Sequence, residues 1–246
     1  MSLGKEDLIN GSITGAMLRF AFPLMLGNLL QQCYNIADTL IVGRVLGADA
    51  LAAVGSSYAL IVFVTSVFIG LCMGCSAVFS MQYGSRDFKG MRQSIFSSML
   101  LVGGVTLLLN VLSVVFLLPI IKILQTPPEL ECMAYDYLII VFSGMIFVCV
   151  YNFYAFLLRA VGNSVVPLVF LIVSVILNIA LDVLFMVSFH MGVEGAAIST
   201  LVSRIFCAIV VIIQLRRENE PIFIKNYMSI RPEWGLIKKI LLIGIP

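Results

Sequence analysis

Charge is what this chain has least of. Only 11% of its 246 residues are Asp, Glu, Lys or Arg, against roughly 25% in an ordinary soluble domain, so there is too little charge to build a water-facing surface. Histidine is nearly absent too. His190 stands alone at a loop edge and reads as a surface residue, and no nucleophile–base set suited to hydrolysis can be assembled, so the chain is not read as an enzyme. The net charge of +2 comes without any basic cluster interleaved with aromatics, which argues against a nucleic-acid partner. No cleavable secretory signal is evident, because the first fifteen residues are polar and include Glu6 and Asp7. The six cysteines lie in or beside apolar runs. Cys72-Met-Gly-Cys75 has the spacing of a redox motif, but it sits inside an apolar run with no second pair or nearby histidine, so all six read as buried small hydrophobes.

What is present is apolar. Hydrophobic residues make up 61% of the chain, and the mean hydropathy is +1.10. The expected fold is therefore an all-α polytopic membrane protein. Apolar runs long enough to cross a bilayer cover 20–43, 51–82, 94–118, 133–158, 167–190 and 193–215. This organisation predicts an N-terminal arm over 1–18, a six-transmembrane-helix bundle over 19–215 and a linker over 216–234. Residues 235–246 then read as the start of a seventh helix. With the N-terminus inside, twelve Lys and Arg residues fall in inner segments and only Arg44 and Lys122 in outer ones. That bias predicts a cytoplasmic N-terminus and a multi-pass protein of the cell membrane. A faint echo links Arg19-Phe-Ala-Phe-Pro23 to Leu242-Ile-Gly-Ile-Pro246, as expected where one bundle ends and a related one begins.

The run 167–190 is interrupted by Ser174, Asn178 and Asp182, which sit one helical turn apart on one face. A carboxylate inside a spanning segment is costly and marks a functional site by default. The first run carries a matching stripe of Asn28, Gln31, Gln32, Asn35 and Asp38 within an arc of about 120°, more polar groups than helix packing needs, so the stripe reads as a cavity lining. Counting from the outer ends, Asp38, Asp182 and Thr200 lie at one depth, some 12–14 Å in at ~1.5 Å per residue. Two carboxylates there would titrate as a unit. They are expected to load and release a proton, or to share a small cation with Asn178 and Thr200 oxygens. Asn152 is expected to avoid lipid and Tyr137 to reach the cavity or anchor at the interface. Arg204, within a run, needs a partner or must snorkel. Pro23 removes a backbone hydrogen bond and could mark a bend.

These residues resemble the multidrug and toxic compound extrusion (MATE) family. The resemblance is carried by Pro23 through Asp38-Thr-Leu-Ile-Val-Gly-Arg44, Leu51-Ala-Ala-Val-Gly55, Leu158-Arg-Ala-Val-Gly-Asn-Ser164 with Pro167, Asn178-Ile-Ala-Leu-Asp182, and Gly192-Val-Glu-Gly-Ala-Ala-Ile-Ser-Thr200. It covers nearly the whole chain and looks closest to the prokaryotic branch with an acid pair in the N-terminal bundle. The resemblance implies a twelve-span exporter of two related bundles that expels organic, often cationic, compounds in exchange for H+ or Na+, with no other cofactor. It assigns cation coupling to Asp38, Asn178, Asp182 and Thr200, the cavity to Gln31, Tyr137 and Asn152, and a helix bend to Pro23. Asn35 joins the cavity set through its place in the stripe. The expected partners are the lipid bilayer, a small organic substrate, and either a missing C-terminal bundle or a second copy of this chain. Two other readings stand beside this one: a lipid-linked oligosaccharide flippase of the same superfamily, and a non-transporting membrane scaffold.

Overall fold

Lipid offers no hydrogen-bond partner to a backbone, so apolar segments of this length satisfy their amides internally as helices. The computed structural model describes residues 13–217 together with Gly235 and Ile240. Among these residues every regular element is helical: α1 (Ile13–Val45), α2 (Ala48–Gly84), α3 (Phe88–Val115), α4 (Leu117–Ile123), α5 (Glu131–Ser143), α6 (Met145–Ala160), α7 (Val165–Asp182), a π-helical segment (Val183–Ser188) and α8 (Val193–Arg217). The first helix is already formed at Ile13, inside the segment read as an arm. Residues 1–12 and nearly all of 218–246 lie outside the described residues; Gly235 and Ile240 are both helical.

Among the described residues four elements are long and apolar enough to cross a membrane: Ala48–Gly84, Phe88–Val115, Val165–Ser188 and Val193–Gln214. A fifth is obtained if the bent pair α5 and α6 is one span. The expected six-span count also includes α1, which at 33 residues is ample in length for a ~30 Å hydrocarbon core.

The run expected as a span over 133–158 is built of two helices, α5 and α6, bent by 45° at their junction. Gly144 sits at the break with no side chain, and a Cβ there would stand 2.6 Å from Leu201 Cδ1 on α8. At the break, the Phe142 carbonyl accepts a hydrogen bond from the Asn110 amide of α3. Between α3 and α5 lies the short helix α4, where the sequence showed no spanning run. Two turns require glycine, since Gly47 and Gly162 hold φ of 92° and 85°, a region closed to most side chains.

The core gathers where α2 packs on α3 and α6, α5 on α8, and α7 on α1 and α8. Phe68, Phe79, Phe142 and Leu138 are fully buried there. Phe79 meets Phe153 edge-on, with ring centroids 6.2 Å apart, which locks α2 to α6. Phe22, Phe63, Leu107, Val115 and Ile176 point outward, as lipid-facing side chains do. Cys72, Cys75, Cys149 and Cys207 are buried, whereas Cys33 and Cys132 are exposed, which corrects the reading of all six as buried. His190 lies at an exposed turn.

Asp87 caps α3 by accepting from Gly90 N–H at 2.9 Å. Asp87→Ala should lower stability by about 1 kcal/mol, read as an earlier thermal unfolding in detergent.

Candidate functional site

The site forms where α1, α5, α7 and α8 converge. On α7, the four-residue spacing of Ser174, Asn178 and Asp182 places all three on the face turned inward, and all three are buried. Asp182 is 0% exposed and Asn178 2%, so neither relies on water. α8 answers with hydroxyls. Ser199 Oγ donates to Asp182 Oδ1, and Ser174 Oγ donates to the Ser203 carbonyl at 3.3 Å. With its amide nitrogen toward the acid, Asn178 donates to Asp182 Oδ2 at 2.9 Å while its oxygen accepts from Thr200 N–H at 3.2 Å. Asn178 thereby bridges the acid on its own helix to the backbone of α8.

α1 brings the second acid. The Asp38 and Asp182 carboxyl groups lie within hydrogen-bonding reach of each other. Asp38 Oδ1 is buried and has no other partner among the described residues. Two ionised carboxylates offer only acceptors, so this contact becomes a bond only when a proton sits on one of them or a cation lies between them. One turn back on the same face, the Tyr34 hydroxyl pairs with Thr200 Oγ1 at 3.3 Å. Tyr137 of α5 is buried close enough to feel the charges of both acids. The donor set is carboxylate, amide and hydroxyl oxygen, which suits a proton or a hard cation.

Below the acid pair, Gln31, Tyr34, Ser174, Asn178, Ser203 and Arg204 line a small cleft of about 10 Å³, room for roughly one water. The α1 stripe thus divides. Gln31, with Tyr34, faces this cleft and Asp38 meets Asp182, whereas Asn28 and Gln32 are exposed and Asn35 is half-buried beside them. Asn35 donates to Gln32 Oε1 at 3.2 Å rather than joining the acid cluster. Asn152 donates to its own helix, at the Val148 carbonyl, 2.8 Å away. Pro23 is within α1, which runs through it as one helix. The structure therefore brings together Asp38, Asn178, Asp182, Thr200, Gln31 and Tyr137, and leaves Asn35, Asn152 and Pro23 outside the cluster. Sequence reasoning passed over Tyr34 and Ser199. Tyr34 stands four residues before Asp38, a spacing that marks a shared helical face. Ser199 is adjacent to Thr200, and both reach the site because α7 packs directly over this part of α8.

A π-helical segment begins immediately after Asp182, and such segments cluster at functional sites. It is held against α8 by Gly195, where a Cβ would stand 2.9 Å from Met191 Cβ and 3.3 Å from Met186 Cγ. Gly195→Val should cost about 1–3 kcal/mol by overpacking. Gly104 has nothing within 4 Å of where its Cβ would lie, so Gly104→Ala should be neutral or gain about 0.5–1 kcal/mol. Melting curves of the two variants side by side check the contrast.

The MatE family model matches residues 23–184. The chain is 35% identical to the probable multidrug resistance protein YpnP of Bacillus subtilis (strain 168), over 80% of this chain and 44% of that protein. It is 29% identical to the multidrug export protein MepA of Staphylococcus aureus (strain NCTC 8325 / PS 47), over 94% of this chain and 51% of that one. It also superposes on a crystal structure of MATE in the straight conformation with a TM-score of 0.85 at 28% identity, covering 97% of this chain and 53% of that one. The chain spans about half the length of the curated relatives it matches. Its apolar helices, its fold and a family match over most of its length agree: this is a multi-pass membrane protein of the MatE family, a family of transporters.

Proposed function

We propose that the chain forms the N-terminal six-helix bundle of a cation-coupled antiporter. It would export organic, often cationic, compounds across the cell membrane, with its N-terminus on the cytoplasmic side. The observation that carries this reading is the contact between Asp38 and Asp182, with one oxygen of Asp38 lacking any donor. An entering proton or sodium ion satisfies that oxygen and neutralises part of the pair. A cationic compound and the coupling ion then compete for the same negative charge, which is what exchange requires. Asn178 supports the site by donating to Asp182 Oδ2, which holds that carboxyl in place beside Asp38.

A second bundle, from a second copy or a further length of polypeptide, has a place to dock. Asn28, Gln32, Thr39 and part of Asn35 are exposed on α1, and lipid has no use for them. The relatives' names are those of multidrug proteins, which favours drug export over lipid-linked oligosaccharide flipping.

The test is ethidium movement in proteoliposomes under an imposed pH or sodium gradient. The chain would be reconstituted alone and joined to the second half of YoeA from Bacillus subtilis (strain 168), a relative 30% identical over 96% of this chain. Dye movement that follows one of the two gradients is the expected result. Dye movement indifferent to both gradients would remove the coupling role and leave a scaffold or uncoupled pathway.

A further inference from the structure

We propose that the outer seam between α2 and α6, at the end of the bundle where α2 turns into α3, binds an anionic phospholipid, with Arg159 holding its phosphate. Charge is spread unevenly along this molecule. The turn after α2 and the first turns of α3 carry Arg86, Lys89 and Arg92, all exposed, and Arg159 stands in the last turn of α6 at the same end. The acid among them, Asp87, already accepts from Gly90 N–H. At the other end Asp49, Glu129, Glu131 and Glu194 outnumber Arg44 and Lys122. The basic end attracts an anionic membrane surface, and in the proposed orientation it faces the cytoplasmic leaflet.

Diffuse attraction becomes a site at Arg159. Ser76 Oγ donates to the Phe156 carbonyl at 3.2 Å and Ser80 Oγ to the Ala160 carbonyl at 3.3 Å, so α6 lies directly along this face of α2. Beside that line Ala77, Ser80 and Gly84 are exposed, and their spacing puts them on one helical face. They form a shallow strip of small side chains flanked by Met73 and Met81, which also point outward. Arg159 borders the strip, since its neighbour Ala160 is the residue that Ser80 holds. Its guanidinium carbon stands 5.3 Å from the centroid of the Phe156 ring, and its buried Nε has no hydrogen-bond partner among the described residues. No carboxylate there pairs with it. The residue is half-buried rather than enclosed, so the rest of its fork is reachable from outside the bundle, and such a fork suits a phosphate two bonds at a time. Because α2 runs one further turn past Ser80, Arg86 and Lys89 stand at least ~6 Å beyond this level, in the headgroup layer. The strip beside Arg159 faces lipid, which selects an amphiphile over a free phosphate.

The experiment is native mass spectrometry of the full chain released from detergent micelles, with phosphatidylglycerol and phosphatidylcholine of the same acyl chains offered at equal concentration. Retained phosphatidylglycerol should exceed phosphatidylcholine about 10-fold. Arg159→Gln should bring the two close to parity, whereas Arg159→Lys should keep part of the preference, because lysine holds the charge and loses the fork. Ala77→Phe fills the strip from outside and leaves every base in place, so it should release the lipid without lowering the melting temperature. Arg44→Gln, at the opposite end, should change nothing. Equal retention of the two lipids by the unmodified chain overturns the proposal. So does a loss in Arg44→Gln as large as that in Arg159→Gln, which marks diffuse surface charge. Displacement of the lipid by inorganic phosphate overturns it as well, since that marks a site for a soluble anion. If Arg159→Gln fails to fold, Ala77→Phe decides, and undiminished lipid on that variant rejects the seam. Neither a coupling ion nor a transported compound enters the measurement, so its outcome stands apart from that of coupled transport.

Discussion

Asp182→Asn should reduce gradient-driven dye efflux to the background of empty vesicles while leaving the melting temperature unchanged or higher. The substitution keeps the size of the side chain and its acceptor for Ser199 Oγ. It removes one of two facing acids, so a like-charge contact in a poorly solvated site disappears. Asn178, which faces this carboxyl through its amide nitrogen, can turn its amide oxygen toward the new amide, since a carboxamide both donates and accepts. Folding therefore loses nothing that matters, whereas exchange loses the negative charge over which ion and substrate compete. Efflux that persists in the variant would end the role assigned here to Asp182. Efflux lost together with a collapsed melting curve would make the residue structural instead.

Phe79→Ala should cost about 3–5 kcal/mol, the range for deleting a buried aromatic ring, and should give the largest stability loss of the substitutions considered. Phe79 is fully buried, and its edge-on contact with Phe153 joins α2 to α6. Both helices run through the core and are long and densely packed on their neighbours, so little local collapse can refill the space. The expected readout is a large drop in melting temperature in detergent, with Phe153→Ala close behind. Double substitution should cost less than the two single losses together, because each single change already removes the shared contact. Additive losses would mean that the two rings are held independently.

The acid cluster was legible because helical spacing is strict. Ser174, Asn178 and Asp182 recur every four residues, and depth counting put Asp38 and Thr200 at their level; the structure gathers these residues at one place. The limits have equally physical causes. A 120° arc on α1 is wider than the strip one neighbour can cover, so Gln31 and Asp38 turn inward while Asn28 and Gln32 stay exposed. Tyr34 was missed because a tyrosine in an apolar run looks like core until the facing Thr200 is in place. The break between α5 and α6 left only Gly144 as a signal, since the carbonyl at the bend is served by Asn110, more than thirty residues away in sequence. The π-helical segment left none, because its residues are as apolar as any helix.

The divided face of α1 has a consequence for how the protein is made. α1 is made before the other described helices, yet Tyr34 and Asp38 on its inward face meet their partners only on α8 and α7. Those partners are synthesised last among the described helices. Until they arrive, α1 must wait in a partly aqueous setting, at the insertion machinery or at the membrane interface, because hydrocarbon would strand Tyr34 and Asp38 without those partners. Assembly therefore has an order in time as well as in space: α1 is fixed in the membrane only when α7 and α8 have been inserted.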